Sequence, residues 1–187
     1  MRKPMPHKLI AAATACIALV LAGCSVLPFR GQDGQEDERF AEFTQYVPKQ
    51  LDIRTSLDSV TSRMPAMGAT GVHLVMQERV NKNESRLPEP DRPYWFHAVI
   101  EVDQATSEAL DEAATNPPAL LPPVHPDLHQ YVPQECSFIT VPEEDANRIL
   151  DTENADLVGG SERFTVDELA LSTDCELVVL VGTGHYS

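Results

Sequence analysis

Histidine changes charge near neutral pH and is the commonest metal ligand, so its positions are the first to place. His73 and His97 fall in Val72–Val80 and Tyr94–Val102, where apolar and polar residues alternate. Period-two alternation marks half-buried strands. Paired as an antiparallel hairpin with Leu74 opposite Ile100 and Met76 opposite Ala98, the segments set His73 against Glu101, Val75 against Val99 and Gln77 against His97. Arg79 then faces Trp95, a cation over an indole. Neighbouring registers stay open. The face carrying His73, Trp95, His97 and Glu101 has the composition of a small ligand groove or hydrolase site, with burial beneath a helix as the plainer outcome.

A second candidate is His125-Pro126-Asp127-Leu128-His129. With Pro126 at a first helical position, His125 and His129 lie one turn apart and suit a borderline metal such as zinc, although no third ligand can be identified. Asp151–Glu162 offers acids at calcium-loop spacing but has Ala155 at a ligand position and Asp156 where the turn needs glycine, which reads as an acidic helix end. Nucleophile motifs of the G-x-S-x-G and S-x-x-K types are absent from the sequence. Gly182-Thr183-Gly184-His185 lacks the remaining glycine of a dinucleotide loop, and no cofactor is implied.

The N-terminus points to export. Arg2, Lys3 and Lys8 precede an uncharged run, Leu9–Leu21, whose thirteen residues fall short of a bilayer's hydrocarbon core of ~30 Å. Leu21-Ala22-Gly23-Cys24 then resembles the lipobox of bacterial lipoproteins. The resemblance covers residues 1–24 and implies that residues 1–23 are a signal peptide cleaved before Cys24. It further implies that the Cys24 thiol carries diacylglycerol and that the mature chain is anchored by lipid on the extracytoplasmic face of a cell membrane. No family is suggested for residues 25–187.

Loss of residues 1–23 removes three cations and no acid, leaving 11 Lys+Arg against 29 Asp+Glu, a net charge of −18. The charge is lopsided: Pro93 to the C-terminus holds two cations (Arg148, Arg163) and 18 acids, whereas Cys24–Arg92 nets only −2. Such a field repels nucleic acid and favours a basic protein partner. The chemistry therefore leaves two readings: a non-enzymatic, lipid-anchored binding or envelope-associated module with an acidic surface, or a small solute- or metal-binding protein or hydrolase using the histidines.

These residues need a scaffold, and the sequence suggests a single α+β domain over residues 39–187, tethered by residues 24–38. Phe40, Phe43 and Val47, then Ile53, Leu57 and Val60, recur at helical spacing and predict two short helices. Asp103 caps a predicted helix to Ala114, with Ala105, Ala109 and Leu110 inward. Residues 116–133 carry six prolines and predict a stiff, extended crossover packed through Leu120, Leu121 and Tyr131. Ser137–Val141 is a predicted strand, and Thr140-x-x-Glu143 opens a helix to Leu150. Thr165-x-x-Glu168 suggests another helix, and the continuous apolar run Leu177–Val181 a central strand. Cys136 and Cys175 remain for a disulfide in an oxidising compartment. Each precedes a strand, so the bond places two strand starts at one end of the sheet, which favours parallel neighbours. The expected fold is a mixed sheet of about four strands with several short helices and one disulfide.

Overall fold

The computed structural model describes residues 37–80, 92–155 and 163–185, all within one compact unit, 34–187. The segment that resembles a lipobox, residues 21–24 with Cys24, lies outside the described residues, as does most of the 81–93 loop. No helix among the described residues is long and apolar enough to cross a membrane.

The sheet has five strands, β1 (Ala69–Glu78), β2 (Pro93–Val102), β3 (Ile139–Val141), β4 (Arg163–Ser172) and β5 (Leu177–His185), in the order β1-β2-β5-β4-β3. Every neighbouring pair is antiparallel, which corrects the expected mixed sheet of about four strands. The difference comes from β4, where a helix was expected. Phe164 and Val166 are buried in even phase, Leu169 and Leu171 in odd phase, and a β-bulge between Val166 and Glu168 absorbs the change. One inserted residue breaks the alternation that identifies a strand.

The disulfide between Cys136 and Cys175 is present, with a Cα–Cα separation of 5.9 Å. β3 and β5 both run antiparallel to β4, so their starts do share one end of the sheet. They are not neighbours, however. Two strand spacings amount to ~9.6 Å, a gap that the loop before β3 and the β4–β5 turn can close.

The β1–β2 register differs by two residues from the expected one: Val72 faces Ile100, Leu74 faces Ala98, His73 faces Val99, Val75 faces His97 and Gln77 faces Trp95. A two-residue shift preserves which face each side chain occupies. The long loop leaves register to packing, and β5 fixes it. Tyr94 lies opposite Gly184 and Phe96 opposite Gly182, and a Cβ on Gly184 would overlap the Tyr94 ring. The two glycines are there to admit aromatic rings.

Three α-helices are found among the described residues: α1 (Asp58–Thr61), α2 (Gln104–Ala113) and α3 (Glu143–Leu150). Asp103 caps α2 as expected by accepting from the Thr106 amide at 2.8 Å. The inward residues are Thr106, Ser107 and Leu110, while Ala105 and Ala109 are exposed. Pro142 is the N-cap of α3, and the expected Thr140 capping box does not form. Of the two helices expected before β1, the second shrinks to α1 and the first is irregular chain whose burial alternates over residues 41–47. That segment, residues 37–54, and residues 116–133 lie as two straps on the sheet. Leu121 is buried in the second strap and Leu120 is exposed, and Pro126–Tyr131 forms a 3-10 helix rather than extended backbone.

The sheet is thus covered on both sides, as the apolar β5 run requires. One core joins α1, α2 and α3 to Leu74, Phe96, Ile100, Leu171, Val178 and Leu180. The other joins the straps to Val75, Trp95, Val99, Val179 and Val181.

Candidate functional site

The strap-covered face gathers four histidines. Alternation puts His73, Val75, Trp95, His97 and Val99 on one side of β1 and β2, and the pairing sets Val181 of β5 and Glu168 of β4 in the same cross-strand row as His97. The bulge is what lets both Asp167 and Glu168 stand clear of the sheet as exposed acids.

Aromatic contacts attach the straps to this row. Phe43 of the first strap meets Trp95 edge-on at 5.8 Å between ring centroids and His97 at 5.5 Å. His125 of the second strap meets Phe43 at 5.1 Å, and Trp95 lies 4.7 Å from His97. His129 stacks on Phe40 at 3.8 Å, joining one strap to the other, and His73 stacks on Tyr131 at 3.6 Å.

These imidazoles are short of polar partners. His97 is only 5% exposed, and its Nδ1 is buried without a hydrogen bond, as are His73 Nδ1 and His129 Nε2. Burial, with the His125 and Arg79 charges adding to it, pushes the His97 pKa down to about 3, so the ring is neutral near pH 7. Burial also lowers His125, against the opposing pull of Asp127, and lowers His129. The Asp127 amide donates to His125 Nδ1 at 3.3 Å, a bond that requires that nitrogen unprotonated. Partial desolvation and the adjacent Asp167 charge hold the Glu168 carboxyl above its usual value.

A cavity of about 160 Å³ opens between Phe43, Trp95, His97, Arg79, Asp167 and Glu168. At its rim Thr183 donates to Asp167 at 2.6 Å and Arg79 donates to Thr183 at 3.1 Å, so Arg79 does not sit over Trp95 as expected from sequence.

Of the sequence candidates, the structure brings His73, Trp95 and His97 together, and adds His125 and His129 to the same face. Glu101 stands apart at the exposed end of β2, its side chain beside Gly71. His125 and His129 point at different aromatic rings, and among the described residues no three His, Cys, Asp or Glu side chains converge as a metal site would need. Sequence reasoning missed Phe40, Phe43, Asp167 and Glu168 as members. No local signal marked the first two, since Phe40, Phe43 and Val47 read as a helical stripe. Compared with known proteins, the chain matches no family model, no curated protein and no solved structure.

Proposed function

We propose that this protein is a lipid-anchored, extracytoplasmic binding module, without catalytic activity, whose acidic helical layer docks a basic protein. The observation that carries this reading is the surface of α2 and α3. They pack together on one face of the sheet and expose Glu108, Asp111, Glu112, Glu143 and Glu144. The one basic residue in these two helices, Arg148, is engaged by Asp145 at 2.6 Å. Exposed carboxylates with no ion-pair partner among the described residues produce a field that accelerates and orients association with a cationic surface. The lipobox supports the membrane attachment, with Cys24 as the lipidated residue.

The alternative, a small-solute or metal-binding protein or hydrolase, has less support. The Trp95–His97 cavity is smaller than the ~300 Å³ at which ordinary ligand pockets begin. Two of its charged groups, Arg79 and Asp167, are already linked to one another through Thr183.

The test is crosslinking in intact cells followed by capture on a C-terminal tag. A stoichiometric basic partner is expected, lost when salt rises from 0.1 M to 1 M and the screening length falls from ~10 to ~3 Å. Joint substitution of Glu108, Asp111, Glu112, Glu143 and Glu144 by Gln or Asn should abolish capture without unfolding the protein. Capture that survives both changes overturns the docking surface. Separately, Cys24→Ala should release the chain from membranes and abolish the mobility shift caused by blocking lipoprotein signal peptidase.

A further inference from the structure

The helical face and the strap face of one sheet are held by different chemistry, and on the strap face imidazole rings take part in the packing. Residues 37–54 and 116–133 hydrogen bond to each other through Ala41, Leu121 and Arg39, and to the edge strands through Arg54–Leu74 and Asn116–Thr140. Over β2 ring contacts among Phe43, His97, Trp95 and His125 join them to the sheet, beside the aliphatic packing of Leu121, Val124, Leu128 and Val132 in the same core. Beyond the second strap, the Cys136–Cys175 disulfide ties the chain to the β4–β5 turn.

We propose that the two straps form an acid-released cover: protonation of His97, His125 and His129 loosens residues 37–54 and 116–133 from the Trp95 face while the sheet and its helices stay folded. This goes beyond the docking reading and uses the opposite face of the sheet.

The groups around each ring set the direction. His97 faces Arg79 of the chain after β1, His125 of the second strap, and Asp167 and Glu168 of β4. Arg79 and His125 oppose a charge on His97. Asp167 and Glu168 are not among the groups that shift His97, and the Glu168 carboxyl is itself held above its usual value by burial and by Asp167. His129 faces Asp37, Arg39 and His125, with the Val124 backbone as a hydrogen-bond partner, and His125 faces Asp127. Protonation of His125 at Nδ1 also breaks the bond from the Asp127 amide.

The packed state has the lower proton affinity, so it is favoured at and above the ordinary histidine value of 6.5 and loses ground as pH falls from there toward about 3. For His97 alone, release to an ordinary pKa shifts the opening equilibrium about thirty-fold toward open at pH 5. His125 and His129 add to that in the same direction.

The chain's single tryptophan is Trp95, 2% exposed and under the straps, so it reports opening directly. On the full-length protein, acrylamide quenching and hydrogen exchange would be followed from pH 7.5 to 5. Quenching should rise reversibly, and amides of 37–54 and 116–133 should exchange about thirty-fold faster after correction for intrinsic rates, with α2, α3 and β5 still protected. His97→Phe should remove most of the response. Should that variant not fold, the His97 ring resonance in the wild-type protein provides the same test, with no titration expected above pH 5 in the packed state. A His97 midpoint of 6 or higher, straps indifferent to pH, or straps and helices opening together would each overturn the proposal.

Discussion

The two faces of the sheet receive the same strands and cover them differently. On one face, α2 and α3 satisfy their own backbone hydrogen bonds and contribute aliphatic side chains, so Leu74, Ile100, Leu110, Leu150, Leu171 and Leu180 form an apolar core that includes no histidine. Arg63, buried on the same side, donates to the Tyr94 hydroxyl at 2.7 Å and lies near the Tyr94, Phe96 and Phe164 rings. On the other face the cover is irregular chain, and imidazole rings do part of the packing. A buried imidazole packs like an aromatic ring while neutral and becomes a desolvated charge when protonated. The contrast teaches that one sheet can carry a condition-independent face and a condition-dependent one.

The largest effects should come from the helical face. Phe96→Ala removes a fully buried ring that packs against Phe164 at 5.4 Å. It should cost about 3–5 kcal/mol of global stability, read from the urea midpoint, and by the same amount at pH 7.5 and pH 5. Phe43→Ala on the strap face is the counterpart. Its ring is half-buried and belongs to a strap, so the urea midpoint should hardly move while quenching of Trp95 at pH 7.5 rises. If both variants shift the urea midpoint alike, the two faces are one cooperative unit and the comparison fails.

Next in size is the disulfide, which closes a loop across a sequence separation of 39 residues. The chain-entropy model gives an upper-end stabilisation of about 4 kcal/mol for a loop of that size. Joint replacement of Cys136 and Cys175 by serine should lower the urea midpoint by less than Phe96→Ala does. It should also move strap opening to higher pH, because residues 116–133 lose a fixed end. A shift in midpoint with no change in the acid response would mean that the bond serves the sheet alone.

How much of this was legible in the sequence depends on whether a segment's burial period survived in the letters. β1, β2 and β5 were visible because alternation or a continuous apolar run persisted, and α2 because Asp103 precedes it. β4 was hidden because the Asp167 bulge shifts its phase, leaving Val166 and Leu169 three apart and mimicking a helix. The first strap was misread for a similar reason. Phe40, Phe43 and Val47 fit a helical stripe, while Glu42, Thr44 and Tyr46 point outward with a period of two. Missing β4 also produced the parallel β3–β5 pairing, although the cysteines correctly placed both starts at one end. The histidine face was half visible, since strand parity groups His73, Trp95 and His97. The arrival of His125 and His129 depended on a crossover path that no local pattern encodes.

The smallest expected effect tests the pH boundary between the faces. The Asp103 carboxyl is held below its ordinary value of 3.8 by the bonds it accepts from Thr106, so the cap favours the ionised form. Its contribution to α2 is complete above that ordinary value and is lost only as pH falls through the lowered one. Between about pH 4 and 6, then, the strap histidines respond to acid and the helix cap does not. Asp103→Ala should speed exchange of the Thr106 amide with a smaller change in urea midpoint than either Phe96→Ala or the double serine variant, and Asp103→Ser should restore most of the protection. Neither should alter the Trp95 quenching curve between pH 7.5 and 5. A shift of that curve in Asp103→Ala would mean that α2 and the straps are coupled through the sheet, and that acid acts on the domain as a whole.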